Sequence, residues 1–184
     1  CRDIAQKFNN DYKIENFFTV PEPLIKKEFS RIMSLKDGLK KMSKSEVSDL
    51  SRINLTDNKD QIINKIKKAK TDTLPLPSTI EELEKRPEAK NLIGIYSSLE
   101  NSTLQKSIDE FAGKNFSEFK VKLTDIVVNE INPISIKIKE LLEDKAFLEK
   151  ILKDGYEKAN EIASKKVKKI HEIVGFWGYF HKAV

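Results

Sequence analysis

Five consecutive residues, Lys41-Met42-Ser43-Lys44-Ser45, bring two ammonium groups, two hydroxyls and a thioether together. Lysine is a mobile point charge that suits phosphate oxygens better than the edges of bases. Lys41 and Lys44 are three apart, so on helix-like backbone they project to one side. Ser43 and Ser45 are small hydrogen-bond donors, and successive N–H groups in a tight loop form an anion nest. Met42 is apolar and adaptable, suited to lying beside a base. The set fits a phosphate chain with a flat apolar group attached. If a phosphoryl bond breaks there, charge grows on the departing oxygens, and fixed cations stabilise that state more than the ground state. Upstream, Asp37-Gly38 reads as a turn that opens the loop, with Gly38 giving it freedom to close and reopen.

The rest of the composition narrows the chemistry by exclusion. Of 184 residues, 39% are hydrophobic and 34% charged, the balance of a globular chain rather than a disordered one. No apolar run approaches the roughly 20 residues a membrane helix needs, so no membrane-spanning helix is expected. The net charge of +5 is compatible with a polyanionic partner, and the only arginines are Arg2, Arg31, Arg52 and Arg86. Cys1 is the sole cysteine, which excludes an internal disulfide and a cysteine-based zinc site and fits a reducing compartment. With His171 and His181 as the only histidines, a Ser-His-Asp or Cys-His nucleophile system is disfavoured, and no metal site is expected. The opening Cys1-Arg2-Asp3-Ile4-Ala5 has no basic-then-apolar leader and reads as an internal stretch of a longer protein.

The elements that must hold the loop follow from periodicity and punctuation. Arg2 to Asn10 carries Ile4, Ala5 and Phe8 at helical spacing, and Pro21-Glu22-Pro23 enforces extended backbone. Phe29 to Leu35 reads as a strand leading into the loop. From Thr56 the pattern turns helical. Asp57 is placed as the cap of a helix bearing Ile62, Ile63, Ile66 and Ala69. Residues 73–87 hold three prolines and a partial helix, Ile80 to Lys85. Pro87 suits the first turn of a helix over Glu88 to Leu99, with Leu92, Ile95, Tyr96 and Leu99 inward. A helix capped by Asn101-Ser102-Thr103 closes at Gly113. Another starts at Ser117 with Phe119, Leu123, Ile126 and Val127, and Pro133 is expected to break it. Ile134 to Leu152 then forms a helix of its own, and Gly155 separates it from the last, which reaches Val174. The fold class is therefore mainly α, with the five amphipathic helices after Pro87, joined by short connections, making a bundle. The aromatic tail Phe176, Trp177, Tyr179 and Phe180 is expected to fold back on the bundle. Lys145 to Glu172 holds eight lysines against five acids, which makes Lys165, Lys166, Lys168 and Lys169 a candidate face for RNA.

The lysine loop and its flanks resemble the second signature loop, KMSKS, of class I aminoacyl-tRNA synthetases. The preceding Arg31-Ile32-Met33-Ser34-Leu35 narrows the resemblance to the bacterial or mitochondrial tryptophanyl branch. Four further matches follow in order along the chain: Arg2-Asp3-Ile4-Ala5 with Phe8-Asn9, then Ala69-Lys70-Thr71-Asp72, then Asn91-Leu92-Ile93-Gly94-Ile95-Tyr96, then Gly155-Tyr156-Glu157-Lys158-Ala159-Asn160. The tyrosyl branch ranks lower because of the Ala-x-Thr-Asp and Asn-Leu-Ile-Tyr segments.

The resemblance implies a division into residues 1–28, a helix and loop leading into the catalytic domain; 29–54, the end of a Rossmann-type catalytic domain; and 55–184, an α-helical domain on the anticodon side of tRNA. It implies ATP-dependent activation of tryptophan and transfer to tRNA(Trp), with Mg2+ accompanying the nucleotide and a homodimeric complete enzyme. The main chain of Ile32 and the side chain of Met42 would lie at the adenine. Lys41, Ser43, Lys44 and Ser45 would lie along the triphosphate, with Lys41 and Lys44 catalytic. The family's His-x-Gly-Asn and Gly-x-Asp-Gln motifs are absent, and with them the residues that would hold tryptophan. The family's Asp-Pro after the loop is Glu46-Val47 here, which keeps the acid and loses the rigid turn. The second reading is a non-catalytic, synthetase-derived helical protein that binds tRNA or acts as a scaffold.

Overall fold

A computed structural model describes residues 1–25 and 30–176. Helix α1 is Arg2–Asp11; β1 (Met33–Ser34) and β2 (Asp37–Lys41) form an antiparallel hairpin; a 3-10 turn covers Asp49–Ser51. Then come α2 (Lys59–Lys67), α3 (Ile80–Glu84), α4 (Pro87–Leu99), α5 (Leu104–Phe111), α6 (Phe116–Glu143) and α7 (Lys145–Val174). The mainly helical class is as expected. The chain divides into two compact units, one of Cys1–Ile25 with Asp144–Val184 and one of Lys26–Glu143.

The second unit owns the hydrophobic core. Ile62 and Ile66 of α2, Leu92 and Ile93 of α4, Ile108 and Phe111 of α5, and Phe119, Leu123 and Val127 of α6 are all buried. Phe111 meets Phe119 edge to face at 4.8 Å, and Tyr96 meets Phe111 at 4.9 Å, so three aromatic rings lock three helices. Arg86 fastens the proline-rich stretch outside this core: its Nε donates to Asp72 at 2.8 Å, its Nη1 to the Pro75 carbonyl at 2.6 Å, and its guanidinium lies 5.6 Å from the Phe116 ring centre. The first unit is fastened by aromatic contacts among Phe8, Tyr12, Phe17 and Phe18. The Asn9 amide brackets Phe18 there, donating to its carbonyl and accepting from its N–H.

Several boundaries differ from the sequence expectation, each for a local reason. Helix α2 is capped by Asn58, not Asp57. Asn58 and Gln61 bond each other's backbone N–H groups in a capping box, which frees Asp57 for an inward role. Pro133 does not end its helix, because α6 runs through it to Glu143. The missing N–H costs about 3 kcal/mol, which the burial of Phe116, Phe119, Leu123 and Val127 along the same helix offsets. The break comes at Asp144, whose side chain accepts from the Phe147 N–H at 3.0 Å and starts α7. Gly155 lies inside α7 at a cost of about 1 kcal/mol and separates nothing.

The hairpin also departs from expectation. The strand over Phe29 to Leu35 is only Met33–Ser34 among the described residues, with Phe29 outside them. The turn is Leu35-Lys36, two residues ahead of Asp37-Gly38. Leu35 points into the core at 2% exposure, its N–H donating to Ser51 and its carbonyl accepting from Lys70. Gly38 is in β2, where an added Cβ would lie 2.5 Å from the Pro87 carbonyl carbon. Its role is close approach of the hairpin to the start of α4, not mobility of the loop. Trp177, Tyr179 and Phe180 of the aromatic tail lie outside the described residues, as does His181; Phe176 is exposed.

Candidate nucleotide site

The hairpin carries the lysine loop, and its pairing decides which residues meet. Met33 stands opposite Lys41 across the two strands. One step beyond, the Met42 N–H donates to the Ile32 carbonyl at 3.1 Å. Residues ten apart in sequence thus form one edge, with the Met42 side chain packed against the core and Ile32 partly open. Lys41 ends β2 and Lys44 lies in the turn that follows, so the two are not on one helical turn as the spacing had implied. In that turn the Glu46 N–H donates to the Ser43 carbonyl at 3.4 Å, and the Ser43 and Ser45 hydroxyls are 2.9 Å apart.

A cavity of about 650 Å3 opens along this edge. Ile32, Lys41, Met42, Ser43 and Lys44 line one side, and Arg52 and Asn54 are on its wall too. Ser45 is outside the lining, next to Lys44 in the chain and hydrogen-bonded to Ser43. Five of the six residues assigned from sequence therefore share one concave site. Lys40 pairs with Asp37 at 3.8 Å, but Lys41 and Lys44 are exposed and make no ion pair among the described residues. They are cations free to take an anion. Among the described residues no carboxylate belongs to the lining, so none of them competes with phosphate for these cations.

Sequence reasoning missed what holds the site. Asn91 of α4, 2% exposed, accepts from the Met33 N–H at 2.9 Å and donates to the Met33 carbonyl at 2.8 Å. Its amide acts as a further strand beside β1. Downstream of the loop, Arg52 and Asn54 join Asp49, Asp57 and Lys65. The Lys65 ammonium lies 2.6 Å from Asp57 and 2.7 Å from Asp49, with its side chain 3% exposed. Hydrogen bonding from Lys65, then from Asn54, holds the Asp49 carboxyl below the usual carboxylate range. A buried lysine in an otherwise amphipathic helix, Lys65 between Ile62 and Ile66, was the available signal.

The lysines of α7 separate. Lys165 pairs with Glu161 at 3.1 Å, and Lys168 and Lys169 are exposed. Lys166 sits 4.0 Å from the Phe17 ring centre and donates to the Phe17 carbonyl, so it ties α7 to the loop after α1 within the first unit.

The family model described as "tRNA synthetases class I (W and Y)" matches residues 1–132. The chain is 49% identical over 177 residues to tryptophan–tRNA ligase of Caulobacter vibrioides, covering 96% of this chain and 52% of that one. It is 49% identical over 175 residues to the same ligase of Rickettsia felis, covering 95% and 52%. Among solved structures, tryptophanyl-tRNA synthetase of Mycoplasma pneumoniae superposes with a TM-score of 0.77 at 25% identity, over 95% of this chain and 51% of that one. The Campylobacter jejuni enzyme, solved with ADP and tryptophan, gives a TM-score of 0.61 at 28% identity, over 95% and 52%. The chain spans about half the length of these relatives. No helix among the described residues is long and apolar enough to cross a membrane.

Proposed function

This chain belongs to the class I tRNA synthetases that serve tryptophan and tyrosine, and on that premise we propose that it is the C-terminal portion of a tryptophan–tRNA ligase. The observation that carries the reading is the cavity that gathers Ile32, Lys41, Met42, Ser43 and Lys44, with no acid among the described residues of its lining. The relatives' names favour tryptophan over tyrosine.

In this reading the adenine of ATP lies against the Ile32–Met42 edge and the triphosphate runs past Ser43 and Lys44. The tryptophan carboxylate attacks the α-phosphorus, the bond to the bridging oxygen breaks, and pyrophosphate leaves. Lys41 and Lys44 are placed to take up the charge that grows on it, a stabilisation larger in the transition state than in the ground state. Transfer of the aminoacyl group from the adenylate to tRNA(Trp) follows. Mg2+ would accompany the nucleotide and supply neutralising charge at its phosphates; among the described residues the lining has no carboxylate to hold it. Residues 29–54 are the closing piece of a Rossmann-type catalytic domain, 55–184 the tRNA-facing helical part. The tryptophan pocket and most of a homodimer interface belong to the other half of a cytoplasmic enzyme.

The test is exchange of labelled pyrophosphate into ATP by the complete protein. Tryptophan must support it, and absence of exchange with tryptophan would overturn the reading. For tRNA, changing Lys165, Lys168 and Lys169 together to glutamine lowers affinity and makes the salt slope shallower by about two to three, measured by filter binding across salt concentrations. The same change at Lys166, whose ammonium is engaged with Phe17, leaves the salt slope unchanged and lowers the unfolding midpoint.

A further inference from the structure

We propose that Arg52 is a positioning residue that fixes the downstream end of the lysine loop, and that Lys65 on α2 is the anchor behind it. The proposal rests on the reading of residues 41–45 as the nucleotide loop.

Arg52 is on the wall of the cavity, where an arginine invites assignment as a phosphate ligand. Its guanidinium is already committed. Nη1 donates to the Glu46 carbonyl at 2.8 Å, Nε to the Asn54 side chain at 3.2 Å, and Nη2 lies 3.1 Å from Asp49. All three nitrogens of the fork have protein partners, and the side chain is 18% exposed. The partner that matters for the loop is the Glu46 carbonyl, one residue past Ser45.

The fork is held from behind. Asp49 also binds Lys65, and Lys65 binds Asp57. Asp57 accepts from the Asn54 N–H at 2.8 Å, which closes the circuit. Two carboxylates and two cations make the cluster self-neutral, so among the described residues of the lining the net positive charge comes from Arg31, Lys41 and Lys44. Lys65 belongs to a core-packed helix, so the Glu46 carbonyl is tied to the body of the second unit through the side chains of Arg52, Asp49 and Lys65.

The loop is thereby pinned on both sides. Upstream, Met42 bonds to Ile32, and Asn91 grips Met33. Downstream, Arg52 grips Glu46. Residues 42–51 contain no proline to stiffen the backbone, so fixation comes from these bonds. Between the pins only Ser43, Lys44 and Ser45 are left to adjust to a phosphate chain. A short segment between fixed ends places Lys44 reproducibly, and small misplacements of a catalytic group are costly in rate. Lysine cannot replace arginine here, since one ammonium does not reproduce a planar fork reaching three acceptors.

The experiment uses the complete protein, with Arg52→Lys, Arg52→Met and, as a reference, Lys44→Ala. Steady-state tryptophan-dependent pyrophosphate exchange gives kcat and the KM for ATP and for tryptophan. Both Arg52 variants are expected to lose about tenfold or more in kcat, by similar factors, with both KM values within about threefold of the parent. Arg52→Lys retaining at least half the parent kcat would overturn the proposal, because charge alone would then suffice. An ATP KM rising by as much as kcat falls would also overturn it, since that marks a direct phosphate ligand. Should the Arg52 variants fail to fold by thermal unfolding, Asp49→Asn, at a half-exposed position, loosens the fork more gently. It is expected to lower kcat severalfold, and no change overturns the clamp. A loss in Lys44→Ala with intact Arg52 variants rejects the clamp alone. No loss in Lys44→Ala rejects the loop assignment and the clamp with it.

Discussion

Replacing Lys44 by alanine in the complete enzyme is expected to lower the rate of tryptophan activation by about 10²- to 10³-fold, the range for removing one donor from a developing anion. The tryptophan Kd stays within about twofold. Lys44 is exposed in the turn and has no ion-pair partner among the described residues, so its removal leaves no buried group stranded and the fold is unaffected. On the proposed reading, what is lost is a cation beside oxygens that gain charge only as pyrophosphate departs. The loss therefore falls mainly on kcat and only weakly on ground-state binding. Single-turnover adenylate formation with titrated tryptophan separates the two. A large rise in tryptophan Kd would move Lys44 to the amino-acid side of the site.

The second large effect is at Asn91. Changing it to alanine removes both bonds to Met33, leaving its N–H and carbonyl without their partner beside a closely packed hairpin. Each unsatisfied group costs about 1–3 kcal/mol, so with two of them the second unit loses about 2–6 kcal/mol of stability, read from the urea midpoint. Because Met33 follows Ile32 directly, the edge proposed for adenine loosens as well, and the ATP KM is expected to rise by about tenfold while the tryptophan KM holds. Asn91→Asp keeps the acceptor for the Met33 N–H, loses the donor and buries a charge, so it is no milder than alanine. A change below about 0.5 kcal/mol, the range of an ordinary surface substitution, would mean that the strand pairing alone holds Ile32 in place.

These two residues mark how far the sequence is legible. Lys44 is readable because its chemistry is local: five adjacent residues state the charges, the hydroxyls and the apolar side chain. Asn91 is legible only as part of an apolar helix segment. Its partner is 58 positions away, and nothing in a single sequence ties a buried amide to a particular strand. Core positions such as Leu92, Phe119, Leu123 and Val127 follow from helical spacing and are buried as expected. The capping box at Asn58 and Gln61 and the cap at Asp144 were equally local, yet Asp57 and Pro133 carried the stronger conventional signals. Tertiary contacts decided both. Lys65 draws Asp57 inward, and the packing of α6 outweighs one missing hydrogen bond. Gly38 reads as a turn in isolation and proves to be a contact point with α4 once the hairpin is placed. Arg52 lines the cavity as a phosphate-binding arginine would, and only the distances to Glu46, Asn54 and Asp49 show where its donors go.

On the proposed reading, residues 1–184 hold the phosphate side of a tryptophan-activating site whose amino-acid side lies in the rest of the enzyme. Pyrophosphate exchange into ATP tests it most directly, run with the complete protein and tryptophan, tyrosine or no amino acid, and with the 184-residue chain alone. Exchange is expected only from the complete protein and only with tryptophan. Equal exchange with tyrosine, or tryptophan-dependent exchange by the 184-residue chain alone, would contradict it.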